Sequence, residues 1–202
     1  MGVLTSCLNA AGWPLSAAEC SNHFLGRAVK DQALLFQKMT GKTLTEAWLA
    51  QFRALRDEAL SAQLQAIPGI HAFVEFVHKR FESKIACASG ADRGKVELQL
   101  TKVDLIKWFE GRIFSGHEMP KTKPEPDVYL AAARSLDVYP QSCLVIEDTP
   151  TGVLAGARAG ATVWAYLSES GEERVSAAQL RDAGAERIFT HIQDLHAHLK
   201  SI

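Results

Sequence analysis

The chain has no excess of charge of one sign and no long apolar run. Lys and Arg total 22 against 23 Asp and Glu in 202 residues, so no basic field exists to hold nucleic acid or an anionic membrane. No run of 18 apolar residues occurs and no long apolar core follows Met1, which disfavours membrane spanning and secretion. We therefore expect a cytoplasmic protein, a monomer or weak homodimer, with neither nucleic acid nor membrane as a partner.

Several kinds of site are also missing. The four cysteines form no Cys-x-x-Cys pair, which favours buried free thiols in a reducing compartment. The spacing Gly-x-Gly-x-x-Gly does not occur, so a dinucleotide fingerprint is absent. His196 and His198 stand two apart on a predicted helix and cannot face one ion. We expect these two histidines and His191 to be solvated.

What is present is a helical stretch followed by alternating strands and helices. Residues 15–67 contain no strand candidate, and an apolar stripe predicts one face of a long amphipathic helix there. The members of that stripe are Leu44, Trp48, Phe52, Leu55 and Leu60. Beyond residue 68, short strands near residues 84, 112, 143 and 161 alternate with helices near 70, 92, 127 and 150. This alternation predicts an α/β fold with a parallel sheet.

One predicted strand, beginning near residue 143, stops on two adjacent carboxylates, Glu147 and Asp148, and turns directly into a helix. In open parallel sheets, chemistry collects where strands end and helices begin. Side chains alternate along a strand, so one carboxylate should reach an ion directly while the other supports it. The pair is a candidate metal site, and a solvated acidic pair in a loop is the competing interpretation.

Two other places carry candidate residues. An apolar strand pattern ends on Ser89 and Gly90 just before a helix predicted over residues 92–103. The Ser89 hydroxyl and the free N–H groups of a helix start would form a phosphate cradle, although a lone Ser is more often a helix cap. Lys123 stands in a proline-stiffened turn before a helix predicted over residues 128–136, where a plain surface lysine is the alternative.

In this order, the three places resemble the haloacid dehalogenase-like (HAD) hydrolase superfamily, in its phosphatase branch with a small helical cap, which includes phosphoglycolate phosphatase and β-phosphoglucomutase. In that family a Ser or Thr ends the second core strand, a Lys lies in a Lys-Pro-x-Pro-Asp stretch, and an acidic pair ends the fourth strand. Ser89, Lys123 and the pair Glu147 and Asp148 match those places. The resemblance implies a Rossmann-like core of parallel strands and helices with an all-helical cap.

The same resemblance implies a domain organisation and a missing first strand. Residues 1–14 would start the core, residues 15–67 would form the cap, and residues 68–202 would form the rest of the core. The family's first motif, Asp-x-Asp-Gly-Thr, supplies the attacking aspartate, but no Asp in this chain is followed by another Asp two positions later. We expect the natural protein to begin earlier; a re-paired sheet or a strand donated by another chain are the alternatives.

The activity that the resemblance implies is Mg²⁺-dependent phosphoryl transfer on a small phosphorylated metabolite. An aspartate attacks phosphorus, magnesium ties the phosphoryl oxygens to carboxylates, and water releases phosphate. Ser89 and Gly90 would hold a phosphoryl oxygen, and Lys123 would neutralise charge. Asp148, supported by Glu147, would bind the metal.

Substrate choice and the exact function stay open at this point. The stretch ending in Arg27 resembles the cap loop that contacts the substrate in this family, and a surface arginine is an equally good interpretation. The leading hypothesis is a phosphatase or phosphomutase whose nucleophile is absent from this chain, so that hydrolysis by these 202 residues is negligible. A non-catalytic phosphate-binding relative and a generic α/β interaction module are the alternatives.

Overall fold

The computed structural model describes residues 2–24, 29–167 and 175–202. The chain divides into two compact units, Met1–Leu64 and Gln65–Ile202. The described part of the first unit is helical, and the second unit combines helices with parallel strands. The predicted α/β class with an additional helical region is confirmed, whereas the domain boundaries drawn from the sequence stay a prediction.

The first unit is built from helices whose apolar faces meet in a single core. The described α-helices are α1 (Gly2–Ala11), α2 (Ala17–Phe24), α3 (Ala33–Thr40) and α4 (Glu46–Gln63), with a short 3₁₀ helix at Val29–Gln32. Leu8 of α1, Trp13 and Phe36 are buried at the centre of this core. Because α1 contributes to it directly, the first residues of the chain pack with the helices that follow them.

Helix α4 begins where the Thr45 hydroxyl accepts a hydrogen bond from the Trp48 backbone N–H at 3.2 Å, which satisfies one free donor of the first turn. Trp48 and Phe52 pack against the core as the predicted stripe requires. Leu55 is 42% exposed and Leu49 is buried instead. The prediction was therefore wrong at Leu55, because the buried face of α4 is rotated toward Leu49.

The second unit alternates helices and strands. Its α-helices are α5 (Ile70–Arg80), α6 (Arg93–Lys102), α7 (Asp127–Ser135), α8 (Pro150–Arg158), α9 (Ala177–Asp182) and α10 (Ile192–Lys200). Its strands are β1 (Cys87–Ser89), β2 (Ile113–Ser115), β3 (Leu144–Glu147), β4 (Thr162–Tyr166) and β5 (Arg187–Phe189). Short 3₁₀ helices lie at Ile106–Trp108, Gly116–Glu118 and Pro140–Ser142.

The strands form two separate parallel pieces. One piece has the order β1-β2, with Ala88 opposite Phe114, and the other has the order β3-β4-β5, with Val145 opposite Val163. Among the described strands, β1 pairs with β2 alone and β3 pairs with β4 alone. The alternative in which the sheet re-pairs is therefore not adopted, and each of these two strands has an edge without a strand partner in the described chain.

Helix α8 lies close against β3 and β4 because position 156, which faces these strands, is a glycine. A Cβ atom at Gly156 would come within 2.9 Å of the Val163 Cγ2 atom and 3.2 Å of Val145 Cγ1. Such distances are below normal van der Waals contact, so an alanine would push α8 away from β3 and β4. The glycine at position 156 thus permits the close packing of α8 on the sheet.

Two expectations about side chains need correction. His196 and His198 were expected to be solvated, but their Nε2 atoms are buried. The rings pack against aromatic residues, because α10 lies on the sheet and turns both imidazoles into its apolar surroundings. The four cysteines are free, but among them Cys20 alone is buried. None of the described helices is both long and apolar enough to cross a membrane.

Candidate active site

The ends of β1 and β3 are connected by one side chain, that of Lys123. Its ammonium donates a hydrogen bond to the Ala88 carbonyl at 3.3 Å and forms an ion pair with Glu147 Oε1. The side chains of Lys123 and Glu147 are only 9% and 8% exposed. The surface-lysine interpretation is therefore wrong, because the proline-containing turn directs Lys123 inward between the two strand ends.

The Glu147 carboxylate is satisfied on both oxygens. Oε1 accepts from Lys123 and from the Tyr129 hydroxyl, while Oε2 accepts from the Asp148 backbone N–H at 3.1 Å and from the Thr149 hydroxyl at 3.3 Å. A buried carboxylate without such partners would be strongly unfavourable. The network makes a negative charge at this depth tolerable and fixes the direction of the Lys123 ammonium.

Glycine 152 makes room for this carboxylate. A Cβ atom at Gly152 would lie 2.1 Å from both Cδ and Oε2 of Glu147, which no real pair of atoms tolerates. Thr149 caps the same helix turn by accepting from the Gly152 N–H at 3.1 Å. The start of α8 is thus shaped around Glu147, and position 152 has no room for a side chain.

Ser89 is the last residue of β1 and follows Ala88, whose carbonyl accepts a hydrogen bond from Lys123. Its hydroxyl accepts a hydrogen bond from the Ala91 N–H at 3.1 Å. The cap of α6 is Asp92, whose side chain accepts from the Lys95 N–H at 3.0 Å. The helix-cap interpretation of Ser89 is therefore wrong. The Ser89 hydroxyl stabilises the turn that follows β1, and Ser89 is adjacent in the chain to Ala88, whose carbonyl accepts from Lys123.

Glu147 and Asp148 differ sharply in environment. Alternation along the strand buries Val145 and Glu147 and leaves Ile146 and Asp148 exposed. Desolvation by the surrounding protein and, next, the negative charge of Glu147 raise the pKa of the Asp148 carboxyl. A cation beside Asp148 would reverse both effects by favouring the ionised form.

The donor set suits magnesium in part. Mg²⁺ is commonly held by one or two carboxylates together with water and substrate phosphate. Asp148 is the more exposed residue of the two, whereas Glu147 is already engaged by Lys123. Within the described ranges, no cluster of three or more His, Cys, Asp or Glu side chains is arranged to hold a metal. Asp148 is therefore the better candidate for direct metal contact.

A thiol lies close to the same lysine but is not activated by it. Burial raises the pKa of Cys87 to about 11, the positive charge of Lys123 opposes that rise, and Glu147 adds to it. The thiolate is the reactive form of cysteine. Cys87 is therefore protonated at neutral pH and is not a nucleophile in this site.

The turn that carries Lys123 is also held from outside. The Arg158 guanidinium, at the end of α8, donates to the Pro124 carbonyl at 3.2 Å and to the Glu125 carboxylate at 3.0 Å. Sequence reasoning missed Arg158 and Tyr129. Tyr129 follows Lys123 by six residues at the start of α7, and a buried tyrosine that needs a partner for its hydroxyl was the available signal. Arg27, the candidate substrate reader, lies outside the described residues.

The chain is similar to known proteins in sequence and in fold. A sequence model described as haloacid dehalogenase-like hydrolase matches residues 8–160. A Thermotoga maritima protein, phosphorylated carbohydrates phosphatase, is 28% identical over 127 residues, which cover 63% of this chain and 58% of that protein.

Solved structures extend the similarity along the chain. A haloacid dehalogenase-like protein of unknown function from Agrobacterium tumefaciens is 28% identical with a TM-score of 0.74, covering 99% of this chain and 89% of its own. A HAD family hydrolase from Deinococcus radiodurans, solved with bound phosphate and sodium, is 27% identical with a TM-score of 0.73, covering 99% and 87%. The chain spans between 56% and 61% of the length of three curated relatives.

Proposed function

Because this chain belongs to the haloacid dehalogenase-like hydrolase family, we propose that it carries the phosphate-binding corner of a Mg²⁺-dependent phosphatase or phosphomutase. The substrate would be a small phosphorylated metabolite. One observation carries the proposal: Lys123 is buried between the end of β1, which bears Ser89, and the end of β3, which bears the acidic pair. A phosphoryl group needs this combination of a fixed cation, hydroxyl and amide donors, and a carboxylate for a metal.

The proposed roles follow from the contacts. The Ser89 hydroxyl and the backbone N–H of Gly90 would donate to a phosphoryl oxygen. Lys123 would stabilise the charge on the phosphoryl group from a direction that Glu147 fixes. Asp148 would hold Mg²⁺, and the bound ion would supply charge neutralisation at the phosphoryl oxygens. Arg27 stays the proposed contact to the rest of the substrate.

The relatives support a phosphorylated substrate. The Thermotoga maritima relative is a phosphatase of phosphorylated carbohydrates, and the Deinococcus radiodurans structure contains phosphate. A phosphorylated carbohydrate is therefore the substrate class that we propose to test first.

A non-catalytic phosphate-binding protein is the second candidate. The observation that favours it is the lack of any Asp followed by another Asp two positions later. Removal of a covalent nucleophile lowers turnover by roughly 10⁴- to 10⁶-fold in other enzymes. We therefore expect negligible hydrolysis of 4-nitrophenyl phosphate by these 202 residues with Mg²⁺. Turnover equal to that of an intact family member, and abolished by Lys123→Ala, would contradict this expectation.

Binding tests the proposal without requiring turnover. Isothermal titration calorimetry of inorganic phosphate, with and without Mg²⁺, should show binding that Mg²⁺ strengthens. Lys123→Met should weaken it strongly, whereas Lys121→Met, a change at an exposed lysine two residues away, should leave it intact. Asp148→Asn should remove the Mg²⁺ dependence but retain binding in the absence of metal.

Two results would count against the proposed function. One is phosphate binding that is unchanged by Lys123→Met, which would locate the anion elsewhere on the protein. The other is no detectable phosphate binding by the folded wild-type chain at any Mg²⁺ concentration.

A further inference from the structure

Tyr129 contacts both charged partners of the candidate site. It lies in the first turn of α7 and is 8% exposed. Its hydroxyl accepts a hydrogen bond from the Lys123 ammonium at 2.8 Å and donates one to Glu147 Oε1. The Lys123 Nζ atom is also 4.7 Å from the centroid of the Tyr129 ring. A single side chain therefore supplies an acceptor, a donor and an aromatic face to one ion pair.

The N–H donors of the Lys123 ammonium are all matched by acceptors in the protein. A lysine ammonium has three N–H donors and no acceptor. Lys123 has three protein acceptors around it, the Ala88 carbonyl, the Tyr129 hydroxyl and Glu147 Oε1. The Ala88 contact, at 3.3 Å, is longer than the Tyr129 contact, at 2.8 Å, so an arriving anion would replace the carbonyl more easily than the phenol. Tyr129 and Glu147 would then hold the ammonium from behind while its remaining N–H turns to the ligand.

The phenol is suited to this role because it keeps its proton. Burial, followed by the negative charge of Glu147, raises the pKa of Tyr129 far above its ordinary value. A protonated hydroxyl can accept from Lys123 and donate to Glu147 at the same time. The three groups form a directed chain of hydrogen bonds that runs from the ammonium through the phenol to the carboxylate.

We propose that Tyr129 is a positioning residue that fixes the Lys123 ammonium for an incoming phosphoryl group. This inference rests on the proposed function for its ligand, but the position of the ammonium can be tested without a ligand. The matched control is Tyr139, whose side chain is 81% exposed. Tyr129→Phe keeps the ring and its volume and removes the hydroxyl alone, so we expect the variant to fold.

The first experiment measures the lysine side chain directly. In ¹⁵N-labelled protein at low temperature, a buried and hydrogen-bonded ammonium exchanges slowly enough to give its own NMR signal, which Lys123→Met identifies by its loss. We expect Tyr129→Phe to shift this signal and speed its exchange with water several-fold. Tyr139→Phe should leave it unchanged. A Lys123 signal that is the same in Tyr129→Phe and wild type overturns the proposal.

A second measurement needs no variant that could fail to fold. In wild-type protein at low temperature, the Tyr129 hydroxyl proton should exchange slowly enough to give its own NMR signal, because the group is buried and donates to Glu147, whereas the hydroxyl of the exposed Tyr139 should give none. A Tyr129 hydroxyl that exchanges as fast as that of Tyr139 would mean that it is not held against Glu147, and the proposal would fail.

A double-mutant cycle links the contact to the ligand. Tyr129→Phe should weaken inorganic phosphate binding about three- to tenfold, roughly the worth of one hydrogen bond, because Glu147 still holds the ammonium. If the hydroxyl acts through the lysine, Tyr129→Phe should not change the residual phosphate affinity of the Lys123→Met variant. Equal weakening in both backgrounds overturns the positioning role. Absence of phosphate binding in wild type refutes the proposed function, whereas the NMR experiments still decide the role of Tyr129.

Discussion

Two groups of polar side chains in the second unit have buried polar atoms, but they differ in whether those atoms have hydrogen-bond partners. At the ends of β1 and β3, Lys123 and Glu147 form an ion pair, and both side chains also hydrogen-bond the Tyr129 hydroxyl. On α10, His196 and His198 carry buried Nε2 atoms for which the described chain offers no hydrogen-bond partner. The first group forms an ion pair inside the protein, whereas the second packs against aromatic rings.

The surroundings explain the difference. Lys123 and Glu147 lie where strands end, and backbone groups and helix starts supply donors and acceptors there. His196 packs on Phe76 with ring centroids 4.6 Å apart, and His198 packs on Trp164 at 5.2 Å. Burial in these surroundings and, next, the charge of Lys200 lower the pKa of His196. A buried polar side chain at the strand ends is therefore equipped to meet a charged ligand, whereas one under α10 serves packing.

The largest effect is expected at the ion pair. Lys123→Met leaves the Glu147 carboxylate buried without its cation and should lower the free energy of unfolding by about 3 to 5 kcal/mol in urea titrations. The double variant Lys123→Met with Glu147→Met removes both charges and should recover most of that loss. A double variant as unstable as Lys123→Met would show that packing, and not the uncompensated charge, is responsible.

A smaller loss is expected from Gly152→Ala, which places a methyl group where the Glu147 carboxylate lies. We expect destabilisation of about 1 to 3 kcal/mol, because overpacking forces side chains or the backbone to move. The control is Gly94→Ala in α6, where the nearest atom to a new Cβ is 3.7 Å away. That change should stabilise the protein by about 0.5 to 1 kcal/mol. Equal effects at the two glycines would contradict the crowding at Gly152.

The histidine region should make the fold sensitive to acid. Burial, followed by the charge of Lys200, lowers the pKa of His196, so the unfolded chain takes up a proton more readily than the folded one. Stability from this residue is complete above the unfolded pKa of about 6.5 and is lost as the pH falls through that value toward the folded pKa.

His196→Phe should reduce this loss of stability, measured as the thermal midpoint between pH 7.5 and pH 5. The effect should be smaller than that of Gly152→Ala. An unchanged pH dependence in His196→Phe would mean that this imidazole does not resist protonation.

The smallest effect is expected at Arg158, which holds the turn that carries Lys123 from the solvent side. Its ion pair with Glu125 is exposed on both partners, so Arg158→Ala should cost only about 0.2 to 1 kcal/mol, and less at high salt. Urea titrations in low and high salt check this. A loss comparable to that of Lys123→Met would show that the turn depends on Arg158.

Sequence reasoning succeeded where a short pattern has one structural meaning. The alternation beyond residue 68 predicted parallel strands and helices within a few residues of their observed positions, because backbone periodicity follows directly from apolar spacing. It failed for Leu55 and for the two histidines of α10. Exposure depends on which face of a helix meets a neighbouring element. When a helix has apolar residues on several faces, its sequence does not decide which of those faces is buried.

The site shows the same division. Ser89, Lys123, Glu147 and Asp148 could be singled out as candidates because each follows a recognisable strand or turn. Their proposed roles stay predictions. Tyr129, Thr149 and Gly152 could not be found in this way, since their importance comes from lying against Glu147 in space.

The sequence by itself determined the family, the order of helices and strands, and the absence of an Asp-x-Asp pair. Those properties are local in the chain, so reading neighbouring residues is enough to obtain them. The tertiary structure alone decided that Lys123 is buried, that Glu147 rather than Asp148 receives its charge, and that Tyr129 joins the two. Such contacts depend on the distance between residues far apart in the chain, and that distance exists only after the strands and helices have packed.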